Sequence, residues 1–491
     1  MMSALLEREQ NHWRLETAER FAFIVDAADY FVAARKAMLK ARHSIYLIGW
    51  DFDARIRLGD GENEEDGPEK LGDFIVWLAD RTPSLEIRLL RWDTGAFKAM
   101  FRGNTLATIL RWKWHKQITL TLDGAHPLAG SHHQKIVVID DCIAFCGGID
   151  MTAGRWDRRD HLDDNPDRLS PDGEPHDPWH DATSAFDGAA ARAMGDLARK
   201  RWYAATGQRL SPADDQHDCW PGDLEPTFEN IRLAIARTRP AMTDVEPVHE
   251  IEEMYLDLIS RAKHWIYAES QYFASRRIAH AIARRLTEEN GPEIVILNPF
   301  SAEGWLEPVA MDSARARLME ALMRIDKYGR LRLYHPVTAG GAEIYVHAKV
   351  MVVDDVYLRI GSSNFNNRSL RLDSECDVIL AADDPGNNDV ERRIAELRND
   401  LIAEHLDTEA ETVAALLQEN GSLIATMETL RGKAPGRTLV PFEMPELNGV
   451  EEWLADNEIL DPEGSDAIFE PLSRRSLFKG WRGLLRRHRR T

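Results

Sequence analysis

Two short stretches decide how this sequence is interpreted: His133–Asp140, HQKIVVID, and His347–Asp354, HAKVMVVD. Each places a histidine and a lysine two residues apart, continues with four apolar residues and ends on an aspartate. Because side chains alternate along a strand, the histidine and the lysine of each stretch lie on one face. The apolar run predicts a strand that enters a core and leaves both polar side chains at its open end.

Matches upstream of these stretches indicate an internal duplication. Ala33–Phe52 and Met254–Phe273 both run from a helical pattern into a β-rich apolar segment, 221 residues apart. A second strand follows in each copy, Glu86–Leu90 and Glu293–Leu297, at an offset of 207. The two histidine-lysine stretches are offset by 214 residues. Three matches in one order at nearly one offset predict two copies of one unit.

Helices alternate with apolar strands in each copy, which predicts an α/β fold. We expect two similar lobes, each a mostly covered β-sheet flanked by helices. The expected domains are a first lobe at 1–222, a second lobe at 223–438 and a C-terminal extension at 439–491. Ser211–Glu225, rich in proline and aspartate, is the expected connector.

Composition excludes several classes of protein. The 491 residues are 44% hydrophobic and 29% charged, which is typical of a globular protein and not of a disordered chain or a fibre. The net charge of −21 disfavours nucleic acid as a partner, because an acidic surface repels phosphates. The sequence contains no apolar run of about 18 residues and no signal-peptide pattern at its start.

The cysteine content favours a reducing compartment. The four cysteines are too few for a disulfide scaffold and lack the paired spacing of zinc sites: Cys142, Cys146, Cys219 and Cys376. We therefore expect a cytoplasmic protein, with peripheral contact at the inner membrane face left open.

The C-terminal segment Ser473–Thr491 has eight basic residues and no acidic one, which leaves −29 on residues 1–472. Five apolar residues at helical spacing separate the arginines: Leu477, Phe478, Trp481, Leu484 and Leu485. This pattern is typical of an amphipathic segment at a membrane surface. A disordered basic tail or a docked helix are the alternatives, since Gly480 and Gly483 weaken a helix.

A turn of small residues begins fourteen positions after each motif histidine: Gly147–Asp150, GGID, and Gly361–Asn364, GSSN. Such a turn suits phosphate oxygens, which its backbone N–H groups and short side chains can bind, and glycine also permits the tight turn itself. Ser362 and Asn364 are candidate phosphate contacts, whereas an ionised aspartate at position 150 cannot donate. Three aspartates are expected to be structural: Asp140, Asp150 and Asp354.

Polar residues at strand ends predict the rim of a pocket in an α/β unit. Glu269, Gln271 and Tyr272 follow the predicted strand Trp265–Ala268, and we expect them to line the substrate cleft. Trp50 and Asp51 are their first-copy counterparts.

The stretch Arg155–Asp181 holds His161, His176 and His180 among many acids. These side chains could bind a divalent metal, but their spacing fits neither zinc nor EF-hand sites, and a polar active-site loop is the favoured interpretation.

The doubled His-x-Lys-x-x-x-x-Asp motif resembles the phospholipase D superfamily. The resemblance covers nearly the whole chain and includes the elements GRWD, PWHD, ESQYF and DSECD. These look like the phosphatidylcholine-type branch more than the nuclease or tyrosyl-DNA phosphodiesterase branches. The resemblance implies two lobes about a pseudo-twofold axis, with one active site at their junction where His133 and His347 face a single phosphate.

The resemblance implies an enzyme that hydrolyses the distal phosphodiester of a glycerophospholipid to phosphatidate and an alcohol, with transphosphatidylation as a variant. One imidazole attacks phosphorus to give a phosphohistidine, and the other acts as acid and then base. By analogy His133 is the nucleophile and His347 the acid/base, an order that the similarity of the two motifs leaves open. Lys135 and Lys349 neutralise the phosphate oxygens. No metal or other cofactor is expected.

The resemblance also supplies carboxylates that orient the histidines. Glu375 matches the family position that serves the second motif, and Asp181 is the matching candidate in the first copy.

Three other functions remain alternatives. A cardiolipin synthase-like phosphatidyltransferase differs only in the attacking alcohol, although most such synthases have N-terminal membrane helices. A phosphodiesterase acting on nucleic acid and a non-catalytic lipid-binding protein are the others. The expected partners are a glycerophospholipid and a membrane surface through residues 473–491, without nucleic acid; the oligomeric state is not predicted.

Overall fold

A computed structural model describes most of the chain. The described residues are 5–7, 10–59, 67–93, 105–127, 130–213, 217–302, 311–387, 389–432 and 435–443. The predicted basic tail, and nearly all of the predicted extension 439–491, lie outside them.

The described residues form a mixed α/β structure in which helices flank one large sheet, so the predicted fold class is confirmed. Within the described residues, the first half of the chain contributes eight strands: β1 Arg14–Val25, β2 Ser44–Gly49, β3 Glu86–Trp92, β4 Ile118–Asp123, β5 Ile136–Ile139, β6 Ile143–Gly147, β7 Trp179–His180 and β8 Ala182–Asp187. The described part of the second half contributes ten: β9 Phe228–Arg239, β10 Val248–His249, β11 Trp265–Glu269, β12 Glu293–Leu297, β13 Leu331–Val337, β14 Tyr345–Val346, β15 Val350–Val353, β16 Tyr357–Gly361, β17 Glu375–Ala381 and β18 Thr438–Pro441.

The helices follow the same division. The α-helices are α1 Ala27–Met38, α2 Leu71–Arg81, α3 Thr105–Trp114, α4 Gly188–Thr206, α5 Glu250–Arg261, α6 Arg276–Thr287, α7 Ser313–Ile325, α8 Val390–His405, α9 Ala410–Asn420 and α10 Leu423–Leu430. None of these described helices has the length and apolar character needed to cross a bilayer.

Apart from the edge strand β18, the order of strands in the sheet is symmetric about the pair β1 and β9. The order is β18-β13-β12-β11-β15-β16-β17-β9-β1-β8-β6-β5-β2-β3-β4. β1 and β9 are antiparallel, with Arg14 opposite Ile235 and Phe21 opposite Phe228. Equivalent strands therefore lie at equal distances on either side of this pair, and the two lobes share one continuous sheet.

The hydrophobic cores explain why the halves stay together. One core on the sheet includes residues of both halves, among them Phe186 and Val378, and is covered by α4 and α8. On the other face each half has a core of its own, under α1 and α2 in the first half and under α5 and α6 in the second. Backbone hydrogen bonds between β1 and β9 and a shared hydrophobic core thus stabilise the junction of the two halves.

A disulfide between Cys142 and Cys219 ties the connector to the first lobe. Cys142 lies in the turn between β5 and β6, and the two Cα atoms are 6.0 Å apart. The linear spacing of the four cysteines gave no indication of this pair.

Candidate active site

The two histidine-lysine stretches occupy equivalent places in the sheet. β5 and β15 are completely buried, so each continues into a core as the apolar runs predict. His133 and Lys135 immediately precede β5, and His347 and Lys349 immediately precede β15.

Each motif histidine is hydrogen-bonded to a carboxylate of the opposite half. His133 Nδ1 lies 2.9 Å from Glu375 Oε1, and His347 Nδ1 lies 2.6 Å from Asp181 Oδ2. The expectation that Glu375 serves the second motif and Asp181 the first is therefore wrong.

Backbone pairing between the halves explains the exchange of partners. The amide of His133 donates to the carbonyl of Ser374 (3.0 Å), the residue before Glu375. The amide of His347 donates to the carbonyl of His180 (2.8 Å), the residue before Asp181. These main-chain hydrogen bonds place each histidine beside the segment of the other lobe that carries its carboxylate. The sequence spacing within one copy does not reveal such bonds.

Gly148 is required by this close approach. A Cβ atom at this position would lie 2.1 Å from Asp181 Oδ1 and 3.2 Å from the carbonyl oxygen of His347. The glycine of the GGID turn therefore makes room for the orienting carboxylate and for the motif strand of the other half.

The electrostatics of the four motif residues are coupled. Burial lowers the pKa of His133 well below its usual value, and the charges of Lys135 and then Lys349 lower it further. Burial, Lys349, Arg155 and Lys135 lower the pKa of His347 in the same way. Since each lysine acts on the histidine of the opposite half, the two motifs form one site. The lowered pKa values favour neutral imidazoles, and the bond at Nδ1 leaves Nε2 for chemistry.

Burial acts on the carboxyl groups in the opposite direction. It raises the pKa of Asp181 to about 6 and that of Glu375 to about 8. Glu375 also accepts a hydrogen bond of 2.5 Å from the hydroxyl of Ser362. Ser362, predicted to contact phosphate, therefore holds the carboxylate that orients His133.

The two lysines have different partners. Lys135 Nζ lies 3.1 Å from Asp150 Oδ2, a direct ion pair, although Asp150 was expected to be only structural. Lys349 Nζ donates to Gln271 Oε1 over 3.5 Å, and Asn364 Nδ2 donates to the same oxygen over 3.4 Å. The second half thus gives its lysine a neutral amide as side-chain partner, besides the carbonyl of His347, and burial lowers the pKa of Lys349 to about 7.

The motif aspartates bind backbone at the far ends of their strands. Asp140 accepts from the amides of Arg42, His43 and Ser44, and Asp354 accepts from those of Lys263, His264 and Trp265. These bonds fix the start of β2 and β11 and place both carboxylates away from the histidines.

Asp377 supports the GSSN turn. Its Oδ1 accepts from the amides of Ser362 (3.1 Å) and Ser363 (3.2 Å), and its Oδ2 pairs with the buried Arg359. Sequence reasoning did not single out either member of this ion pair.

The residues predicted to line the cleft separate into two groups. Gln271 lies within the site through Lys349, and Trp50 lies next to it, because its amide donates to Asp150 Oδ1 (3.0 Å) while its ring stacks on Trp92. The prediction that Glu269 lines the cleft is wrong. Its side chain is 0% exposed and is hydrogen-bonded to His180 (3.0 Å).

The other two predicted rim residues lie at different depths. Tyr272 is half-buried against a small apolar cluster that includes Ala274. Asp51 is buried and accepts a hydrogen bond from the hydroxyl of Thr152 (2.9 Å).

Sequence reasoning missed an aromatic stack beside His347. Trp179 stacks on Tyr345 with ring centres 4.5 Å apart, and the Arg155 guanidinium lies 3.8 Å from the Trp179 ring centre. His347 is 5.2 Å from the same ring. Arg155 and Trp179 belong to the elements GRWD and PWHD. Both elements contribute to the family resemblance, but these two residues were assigned no role from the sequence.

A buried cluster of histidines and carboxylates lies behind Asp181. Single ligand atoms of Asp26, His161, His180 and Glu404 lie within 4.8 Å of one another, so these four could hold a divalent cation. The outward nitrogens of the two histidines are bound to Asp157 (3.0 Å) and Glu269 (3.0 Å). His161 and His180 of the predicted polar loop are thus fully buried, whereas the ring of His176 lies outside this cluster, with Nδ1 3.0 Å from the carbonyl oxygen of Asp177.

Two family models match the two halves of the chain. The one described as "Phospholipase D" matches residues 37–220, and the one described as "Cardiolipin synthase, PLD-like domain" matches residues 255–398.

Similar proteins carry the name phospholipase D. Phospholipase D A of Dictyostelium discoideum is 25% identical over 72% of this chain and 32% of its own length. Phospholipase D1 of Saccharomyces cerevisiae is 25% identical over 80% of this chain and 29% of its own length. Phospholipase D alpha 1 of Carica papaya is 23% identical over 81% of this chain and 66% of its own length. The chain thus spans about a third of the first two relatives.

A solved structure shows the same fold. The phosphatidylserine synthase of Haemophilus influenzae superposes with a TM-score of 0.56 at 16% identity, over 86% of this chain and 98% of that one. Two matching domains, joined through one sheet with a doubled histidine-lysine motif at their junction, place this chain in the phospholipase D superfamily.

Proposed function

We propose that this protein is a phospholipase D that hydrolyses the distal phosphodiester of glycerophospholipids to phosphatidate and a free alcohol. The observation that carries the proposal is the pair of exchanged contacts, His133 with Glu375 and His347 with Asp181, flanked by Lys135 and Lys349. Two oriented imidazoles and two cations are the groups that two successive displacements at one anionic phosphorus require.

In the first step, His133 Nε2 attacks phosphorus in line with the leaving alcohol oxygen. The phosphorus–oxygen bond to the head group breaks, and the protonated His347 gives its proton to that oxygen. The lowered pKa of His347 favours the neutral ring in the free protein, so the ring takes up a proton from solvent when substrate binds. A bound phosphodiester supplies the negative charge that raises the pKa of the neighbouring imidazole.

In the second step, the neutral His347 removes a proton from water, whose oxygen attacks the phosphohistidine and releases phosphatidate. Glu375 and Asp181 do not touch phosphorus; each holds the Nδ1 of its histidine and keeps the ring oriented. Lys135 and Lys349 balance the charge on the phosphate oxygens through both steps.

A phosphatidyltransferase is the second candidate function. It uses the same intermediate and differs only in the alcohol that attacks it. The fold shared with a phosphatidylserine synthase supports this candidate. The acidic net charge of −21 argues against a nucleic-acid substrate.

Turnover of labelled phosphatidylcholine, phosphatidylglycerol and single-stranded DNA by the same preparation tests the proposal. We expect phosphatidate from at least one lipid, a phosphatidylalcohol when a primary alcohol is added, and no cleavage of DNA. Acid-quenched protein should carry substrate phosphorus on His133. His280→Ala, a change at an exposed histidine of α6, is the matched control and should retain full turnover. Absence of lipid turnover, or retention of turnover in His133→Ala, would contradict the proposal.

A further inference from the structure

Three metal-binding side chains converge where the connector meets the first lobe. Cys142 lies in the turn after β5, and His217 and Cys219 belong to the connector. The two sulfur atoms and a ring nitrogen of His217 all lie within 4.8 Å of one another. His217 Nε2 is 3.3 Å from Cys219 Sγ and 3.0 Å from the carbonyl oxygen of Lys40, a hydrogen bond that a metal at this nitrogen would replace. Thiolate sulfur and imidazole nitrogen are the ligands that zinc prefers.

A cavity of about 310 Å³ opens beside these residues. Its lining contains five acids and two arginines: Glu19, Asp140, Asp141, Asp187, Asp218, Arg20 and Arg192. An excess of negative charge at the wall of a cleft raises the local concentration of cations. Asp187 and Asp218 pair with Arg20, and Asp141 pairs with Arg199, so the cavity gives a divalent cation a route and only a modest negative field.

The oxidation state decides what the two sulfurs can do. In the structure they form a disulfide, with Cα atoms 6.0 Å apart. In a reducing compartment a dithiol reductant supplies two electrons and two protons, so the disulfide becomes two thiols while the reductant becomes a disulfide. Zinc–sulfur bonds of about 2.3 Å place two ligating sulfurs roughly 3.8 Å apart, which this backbone separation allows after small side-chain rotations.

We propose that, in the reduced protein, Cys142, Cys219 and His217 bind one zinc ion. Binding removes a proton from each thiol, and both protons pass to solvent as two zinc–sulfur bonds form. Water completes the tetrahedral set, because Asp140 already accepts three backbone hydrogen bonds. The connector is thus held to the first lobe by a covalent bond when oxidised and by zinc when reduced.

The site is separate from the catalytic groups. It lies next to Asp140, at the opposite end of β5 from His133, so metal binding can be measured without any assay of turnover. In the second half, Val356 takes the place of Cys142, so the site is not part of the duplicated unit. The two remaining cysteines, Cys146 and Cys376, are buried together and provide an internal comparison.

Zinc content of the full chain, reduced with a non-chelating phosphine and dialysed, tests the proposal directly. We expect one zinc per chain for the wild type and less than about 0.1 for the double variant Cys142→Ser/Cys219→Ser. His217→Ala should weaken affinity at least about tenfold, since even outer-shell partners contribute that much. Cys376→Ala, a change at a thiol outside the site, should retain one zinc.

A second measurement needs no variant. Peptide mapping after alkylation should show Cys142 and Cys219 protected by zinc, while any modification of Cys146 and Cys376 is unaffected by the metal. Cobalt added to the reduced wild type should produce a thiolate charge-transfer band. Equal alkylation of Cys142 and Cys219 with and without zinc would overturn the proposal, as would equal zinc content in the wild type and the double variant.

Discussion

His133 Nδ1 lies 2.9 Å from Glu375 Oε1, although 242 residues separate the two in the chain. The equivalent contact of the other motif joins His347 to Asp181, which are 166 residues apart in the chain. Each half of the protein thus supplies the histidine of one pair and the carboxylate of the other. Neither half contains a complete pair, so the oriented imidazoles exist only when both halves are folded together.

The exchanged pairing predicts which histidine responds to each carboxylate. In Glu375→Gln the imidazole signals of His133 should shift, because its Nδ1 partner has changed, and those of His347 should stay nearly constant. Asp181→Asn should give the reverse pattern. Nitrogen-15 NMR of labelled histidines measures this, and both variants should lose roughly 10²–10⁴-fold in kcat. A shift of His347 rather than His133 in Glu375→Gln would show that each half serves itself.

The two imidazoles are expected to act as a unit. His133→Ala and His347→Ala should each lose activity by at least about 10²–10⁴-fold, because each removes one of two successive proton or phosphoryl transfers. The double variant should be little worse than either single one. Steady-state turnover of a soluble short-chain phospholipid measures this. Near-normal turnover in His347→Ala would be incompatible with a shared site.

The pKa of Lys349, lowered to about 7 by burial, sets an alkaline limit on substrate capture. The ammonium group is charged below this pH and neutral above it. The value of kcat/KM, which reports groups of the free protein, should therefore fall as pH rises through about 7. In Lys349→Arg the side chain stays charged, so this fall should be absent even if the overall rate is lower. The same alkaline fall in both proteins would assign it to another group.

The buried pair of Arg359 and Asp377 should make a large contribution to stability. Asp377→Asn leaves the arginine, 1% exposed, without its counter-charge, which typically costs about 3–5 kcal/mol of unfolding free energy. Glu320→Gln, at an exposed pair with Arg324, is the matched control and should cost less than about 1 kcal/mol. Chemical denaturation compares the two; equal losses would contradict the distinction.

The basic tail, outside the described residues, is predicted to act on membrane binding alone. Its charge of +8 offsets the −29 of residues 1–472 near an anionic surface. Deletion of residues 473–491 should weaken sedimentation with anionic vesicles and leave hydrolysis of a short-chain phospholipid nearly unchanged. The difference in vesicle binding should shrink as salt rises, since screening shortens its range. Equal binding at low salt would remove any membrane role.

Local patterns were sufficient for the repeated part of the fold. Alternation and apolar runs predicted β5 and β15, and the helix-to-strand segments became α1 with β2 and α5 with β11. These elements are short-range features, whose hydrophobic periodicity is visible without knowledge of their neighbours. The motif histidines and lysines were found in the same way.

Contacts between the halves could not be predicted from such patterns. β1 and β9 were not recognised as the central strands, because their burial depends on pairing with each other and with β8 and β17. The partners of Glu375 and Asp181 were assigned within each copy, whereas the backbone bonds at Ser374 and His180 join opposite copies. Glu269 was predicted to lie at the rim of the cleft, but its contact with His180 of the first half buries it. In each instance the missing information was which distant segment lies alongside.

The antiparallel contact of β1 with β9 resembles the interface of a two-fold dimer in which each partner offers the same surface to the other. In a dimer of identical chains, a substitution on one side necessarily appears on the other. A tandem fusion removes that constraint, and the two sides become free to diverge. Asp150 beside Lys135 and Asn364 beside Gln271 are such a difference: one side of the site carries a charged partner and the other a neutral amide.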